Sequence, residues 1–261
     1  MTTLAHARAG AGRRSVVLLH GLLGSGRNLA TLGRSLVAGN LDLALVSFDL
    51  TGHGASPPLP PGADTAALAA DVLGSARALA LPPPLALVGH SLGGRVALRA
   101  ALSEPATVGV VVLLDVAPGP LTERGDVADV LDILLRMPDS FASRARARAG
   151  LEEAGLSSAL AEWLLLNLTA VGEEYRWRVD RRALAELHGR VAAEDLWPGV
   201  EGPRSWALRC VRGATSPYVT RNDVQRLAAA GCPVTAIEGA GHFLHVDQPG
   251  AVAAAVRAAL M

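Results

Sequence analysis

The sequence contains no lysine: all 24 of its basic residues are arginine, and they balance 24 acids to a formal net charge of zero. No net field therefore favours nucleic acid, an anionic membrane surface or an acidic partner. Aromatic residues make up only 3% of the chain, and there are two cysteines, Cys210 and Cys232. No cysteine and histidine spacing resembles a zinc site, and two thiols in or beside predicted strands read as buried and free, as in a reducing compartment. Long apolar runs are missing too. Although 50% of the residues are hydrophobic, no run approaches the roughly 18 residues that a membrane-spanning helix needs. The opening "MTTLAHARAGAGRR" has no apolar stretch of the kind that marks a secretory leader. The expectation is a cytoplasmic chain without a membrane span or a nucleic-acid partner; nothing in the pattern assigns an oligomeric state.

What the chain does have is a series of short runs rich in Val, Leu and Ala, at Ser15–Leu19, Ala44–Asp49, Leu85–Val88, Val108–Asp115, Trp206–Arg212 and Val234–Glu238. Each is unbroken rather than alternating, as expected of strands covered on both faces. Helical patterns lie between several of them, over Asp64–Leu81 and Leu92–Leu102. Strand and helix in alternation predict an α/β fold, a mainly parallel sheet flanked by helices, within one domain, 1–261. One long interval, Ala117–Ser205, shows helical periodicity and no convincing strand. It is read as a helical cap, 121–197, inserted after the strand that ends at Asp115 and lying over the carboxyl edge of the sheet, where such sheets bind ligands. Within it "ASRARARAG" (142–150) reads as a solvated helix face.

The stretch "LVGHSLGG" (87–94) runs an apolar strand into a helix through Gly89-His90-Ser91-Leu92-Gly93, which fits the G-x-S-x-G turn that lifts a serine oxygen clear of a sheet. A serine hydroxyl is a weak nucleophile at neutral pH and needs a base within hydrogen-bond reach, itself oriented by a third group. His242, in "EGAGHFLHVDQP", follows the last apolar strand and returns to the edge that carries Ser91, so the fold must bring the two into contact. His245 would begin the final helix and point elsewhere; His20, His53 and His90 accompany glycine turns and read as loop braces, as does Asp49 in "FDLTGHGAS". Developing negative charge on a carbonyl oxygen needs preorganised NH groups. Leu92 would supply one, and Leu22, in "HGLLGSGRN", the other. Gly24 and Gly26 in that loop lack the G-x-G-x-x-G spacing and the lysine of a phosphate cradle.

"HGLLGSGRN", "FDLTGHGAS", "GHSLGG" and "GAGH", in that order, resemble the α/β-hydrolase superfamily across nearly the whole chain. "LLDVAPGP", "EYRWRVD" and "RGATSPYVT" add a narrower likeness to the small acyl ester hydrolases of the abhydrolase-domain-eleven type. The superfamily's usual acid position, after Gly213, holds Ser216 here, and a hydroxyl cannot neutralise an imidazolium. Asp115 keeps the chain order Ser, Asp, His, and the resemblance implies the same relocation. The expected site is therefore Ser91, His242 and Asp115, with Ser216 auxiliary and Asp223 as the fallback acid. The resemblance implies a serine esterase of small acyl esters, thioesters included, that requires no cofactor and no metal. Two other readings stay open: a menaquinone-pathway type of lyase, whose "GHSLGGRVAL" is similar, and a ligand receptor on the same scaffold. Trp163, Trp177, Trp197 and Trp206 read mostly as core.

Overall fold

Every unbroken apolar run forms a strand, with ends within two residues of those predicted. In the computed structural model, which describes residues 3–38, 42–121 and 126–261, the chain opens with β1 (His6–Ala9), β2 (Arg14–Leu19), α1 (Ala30–Ala38), β3 (Leu43–Phe48), α2 (Thr65–Ala78), β4 (Leu85–His90), α3 (Leu92–Ser103) and β5 (Val108–Leu114). A middle segment follows, with α4 (Asp126–Arg136), β6 (Ser140–Phe141), α5 (Arg144–Glu153), α6 (Ser158–Leu164), β7 (Leu168–Val171), β8 (Glu174–Trp177), α7 (Arg181–Ala193) and α8 (Trp197–Glu201). The chain then returns through β9 (Ala207–Gly213), α9 (Arg221–Ala229), β10 (Val234–Ile237), α10 (Leu244–Asp247) and α11 (Pro249–Leu260).

Seven strands form one sheet in the order β1-β3-β2-β4-β5-β9-β10, parallel throughout except where β1 runs antiparallel against β3. The expected α/β fold with a mainly parallel sheet is what forms. Because side chains alternate across a strand, β2 sends Val17 and Leu19 to one core and Val16 and Leu18 to the other. The first core packs under α2, α3 and the middle segment; the second packs under α1 and α11. After β2 the chain moves outward to β3 and then returns to the other side of β2 as β4. That reversal opens a crevice beyond the carboxyl ends of β2 and β4.

The middle segment departs from the helical expectation. β6, β8 and β7 pair antiparallel in a three-stranded sheet. β6 has only two residues, and β8 alternates charge with aromatics so that Tyr175 and Trp177 pack inward with Phe141. Pieces this short carry no period in sequence; the pairing itself makes them strands. α5 does have the solvated face its arginines imply, burying Ala147 and Leu151 alone. The two stalks of the segment meet on Arg95 of α3, whose guanidinium donates to the carbonyls of Ala117 (3.1 Å) and Gly119 (2.7 Å) on the way out and of Glu194 on the way back.

Candidate active site

Ser91 sits at the corner between β4 and α3 with φ 51° and ψ −118°, a sparsely populated conformation that persists only where surroundings enforce it. Its N–H donates to Leu114 O at 3.1 Å and its carbonyl accepts from Gly94 at 2.9 Å. The corner closes only without side chains around it. A Cβ on Gly89 would lie 2.2 Å from the Gly93 carbonyl oxygen, and one on Gly93 would lie 2.3 Å from that of Leu19. The first amide of α3, that of Leu92, and the amide of Leu22 beyond β2 donate to no protein acceptor among the described residues. Both residues flank Ser91 in the same crevice.

Asp115 ends β5 with φ 53° and a carboxylate that is fully buried. Burying a carboxylate is costly unless its oxygens are bonded, and here three donors meet it. The Gly213 N–H donates to Oδ1 at 2.8 Å, and both the Ser216 hydroxyl and the His242 Nδ1–H donate to Oδ2, the latter at 2.8 Å. That bond fixes the tautomer of His242, leaving Nε2 to face the crevice. Tyr218 stacks on the ring, centroids 4.0 Å apart. On the far side the His90 Nε2–H donates to the His242 carbonyl at 2.8 Å. His90 is held neutral, its imidazole pushed well below its ordinary range by burial and then by His242 and His245.

Ser91 and His242 face one cavity of about 130 Å³, whose apolar wall includes Val130 of α4, Leu160 and Trp163 of α6, Phe243 and Val246. No hydrogen bond joins the Ser91 hydroxyl to the ring among the described residues, the looser arrangement usual before a substrate tightens a site. A smaller lobe of about 30 Å³ opens on the other side of Ser91, toward Leu92, Val116 and Val191.

The two candidate acids have different partners. Asp223 sits on the first turn of α9, where its carboxylate accepts from the Thr220 amide and hydroxyl, whereas Asp115 reaches His242. Asp49 accepts from the amides of Gly26 (2.7 Å) and Ala55 (2.8 Å) and holds that turn. His20 braces the same region: Nδ1–H donates to Gly21 O and Nε2 accepts from the Leu50 amide. Burial pushes His20 down to about 4 and His53 to about 3. His245 differs from expectation: the short α10 turns it inward, its ring 4.7 Å from that of His90 and against the cavity, so it is buried and pushed to about 4 by burial and by His242. Trp197 and Trp206 are core, Trp177 packs on Phe141, and Trp163 lines the cavity. Cys210 and Cys232 are buried and unpaired. Among the described residues no three metal-ligating side chains gather, and no helix is long and apolar enough to cross a membrane. Sequence reasoning missed three parts of this site: the stacked Tyr218, the His90 bond to the His242 loop, and Asn167, whose amide donates to Leu23 O at 2.8 Å and ties the middle segment to the loop bearing Leu22. None of these has a local sequence signal.

Residues 16–255 match the model of the alpha/beta hydrolase family. The chain is 29% identical over 244 residues to the mouse sn-1-specific diacylglycerol lipase ABHD11, covering 90% of this chain and 77% of that one. It is 27% identical over 245 residues to esterase YbfF of Escherichia coli (93% and 91% covered) and 30% identical over 267 residues to lipase LipV of Mycobacterium tuberculosis (95% and 94%). Among solved structures a marine microorganism esterase superposes with a TM-score of 0.85 at 22% identity, covering 98% of this chain and 99% of that one, a likeness of fold.

Proposed function

This chain belongs to the alpha/beta hydrolase family, and on that premise we propose that it is a carboxylic ester hydrolase working through an acyl-enzyme on Ser91. Esterases and lipases are what its named relatives are. The observation that carries the reading is the relay from a buried carboxylate through His242 Nδ1 to the cavity that Ser91 faces.

In the first half-reaction Ser91 Oγ bonds to the ester carbonyl carbon while His242 Nε2 takes its proton. The oxygen that becomes negative lies toward the amides of Leu22 and Leu92, and such donors contribute about 3 kcal/mol each to the transition state. The C–O bond then breaks and His242 gives the proton to the departing alcohol, or thiol. Water enters with His242 again as base, the acid leaves, and Ser91 regains its proton. Asp115 stabilises the imidazolium formed in each half. Ser216 supplies an auxiliary hydrogen bond to that carboxylate. No metal or cofactor takes part in this scheme. The middle segment, within 121–197, acts as a cap that excludes water from the cavity, and the substrate is a small-molecule acyl ester.

Ser91→Ala tests the scheme: turnover of nitrophenyl esters should fall to background with the circular dichroism spectrum unchanged. Persistent turnover would assign the nucleophile elsewhere. Efficient ester hydrolysis by the parent chain also separates this reading from the lyase and receptor alternatives.

A further inference from the structure

The nucleophile stands at the junction of two lobes that differ in size and in one chemically decisive occupant. The larger lobe contains His242; the smaller one does not, although Leu22, Ser91 and Tyr218 border both. Around a carbonyl carbon attacked by Ser91, three directions remain. The carbonyl oxygen goes to the Leu22 and Leu92 amides, both of which border the small lobe, the departing oxygen must reach the histidine that protonates it in the large lobe, and the acyl chain follows its carbonyl past those amides. From this we infer that the large lobe binds the alcohol (or thiol) portion of the substrate and the small lobe its acyl portion, so that the preferred substrates are esters of a short acid with a bulky apolar alcohol. The inference rests on Ser91 and His242 acting as proposed above.

Volume makes the asymmetry strong. One water needs roughly 10–15 Å³ of such space. At about 30 Å³ the small lobe takes two or three groups of that size, the carbonyl oxygen at the Leu22 and Leu92 amides among them, and at about 130 Å³ the large lobe takes several times more. Two residues of the small lobe's wall, Val116 and Arg95, have little room to retreat. Val116 is backed by the tight β4–α3 corner, where a Cβ on Gly94 would lie 2.5 Å from its Cγ1. Arg95, which lines the lobe, is committed through both terminal nitrogens to the carbonyls of Ala117, Gly119 and Glu194. The large lobe is bordered by Leu160, Trp163, Phe243 and Val246, an apolar lining along which a long chain can extend.

Octyl acetate and ethyl octanoate decide the matter, because they are isomers with primary alcohols as leaving groups, so composition and intrinsic reactivity are matched while the long chain changes sides. The expected kcat/KM favours octyl acetate by tenfold or more, in line with the discrimination that a few methylenes give in a fitted pocket. A smaller ratio, or a reversed one, overturns the lobe assignment while leaving Ser91 chemistry intact, since ester turnover would continue. Turnover of neither isomer, with phenyl acetate also inert, overturns both. Val191→Ala, which enlarges the small lobe and not the large one, should raise the kcat/KM ratio of ethyl butyrate to ethyl acetate several-fold; an unchanged ratio counts against the assignment.

Discussion

Replacing Asp115 by Asn removes one charge from the relay and little else. Asn keeps an oxygen to accept from the Gly213 amide, and its NH2 can donate to a Ser216 hydroxyl that turns to accept, so the buried site stays bonded. What it cannot do with that same nitrogen is accept from His242 Nδ1–H. The ring is then driven to the other tautomer, with its proton on the nitrogen that should act as base, and the imidazolium formed during acylation has no counter-charge. In the Ser-His-Asp template this change lowers kcat about 10⁴-fold, which is about 5 kcal/mol of transition-state stabilisation. The same order is expected here, because Asp115 is wholly enclosed and water cannot substitute for it. The assay is kcat with nitrophenyl acetate, alongside thermal unfolding to show that the fold persists. A loss under tenfold, or a larger loss in Asp223→Asn, would mean that Asp115 does not orient His242.

Ser216→Ala removes one of the donors to the Asp115 carboxylate, and a hydrogen bond to a charged group is worth about 1.5–3 kcal/mol; stability in urea should fall by that order, and an unchanged midpoint would mean the bond contributes nothing. Gly93→Ala puts a Cβ against the Leu19 carbonyl and should cost about 3 kcal/mol or more, read as a lowered melting temperature; full stability would show that the corner tolerates a side chain. His53 ionises near 3 when folded but near 6.5 when unfolded. The unfolded chain therefore binds that proton first, and stability that is complete above about pH 6.5 is lost as pH falls toward 3. His53→Asn should reduce the slope of unfolding free energy against pH between 6 and 4 by about 1.4 kcal/mol per unit; parallel slopes would contradict its buried, neutral state.

The parallel sheet is legible because its inner strands are largely buried on both faces and so write unbroken apolar runs; the edge strand β10, half exposed, still carries a short apolar run. β1 left no such mark: "HARA" is mostly exposed and becomes a strand only because β3 offers an edge. β6 to β8 were hidden for the same reason. Ser91 could be read from its glycines, since the corner admits nothing larger, and His242 from its place after the last strand. Sequence favours Asp115 over Asp223 only by resemblance, because both keep the required chain order; the coordinates add that the Asp115 carboxylate alone of the two accepts from the ring. His245 faces the cavity because a four-residue helix, α10, reorients it before the final helix begins, a turn that no period announces.

Acyl transfer through Ser91 requires a covalent bond at one oxygen. Acid-quenching the chain during turnover of nitrophenyl acetate and mapping its peptides by mass should find a single acetyl group, on Ser91, formed in step with a burst of nitrophenol. An acetyl group on another residue, or steady turnover with no acylated peptide at all, would contradict it.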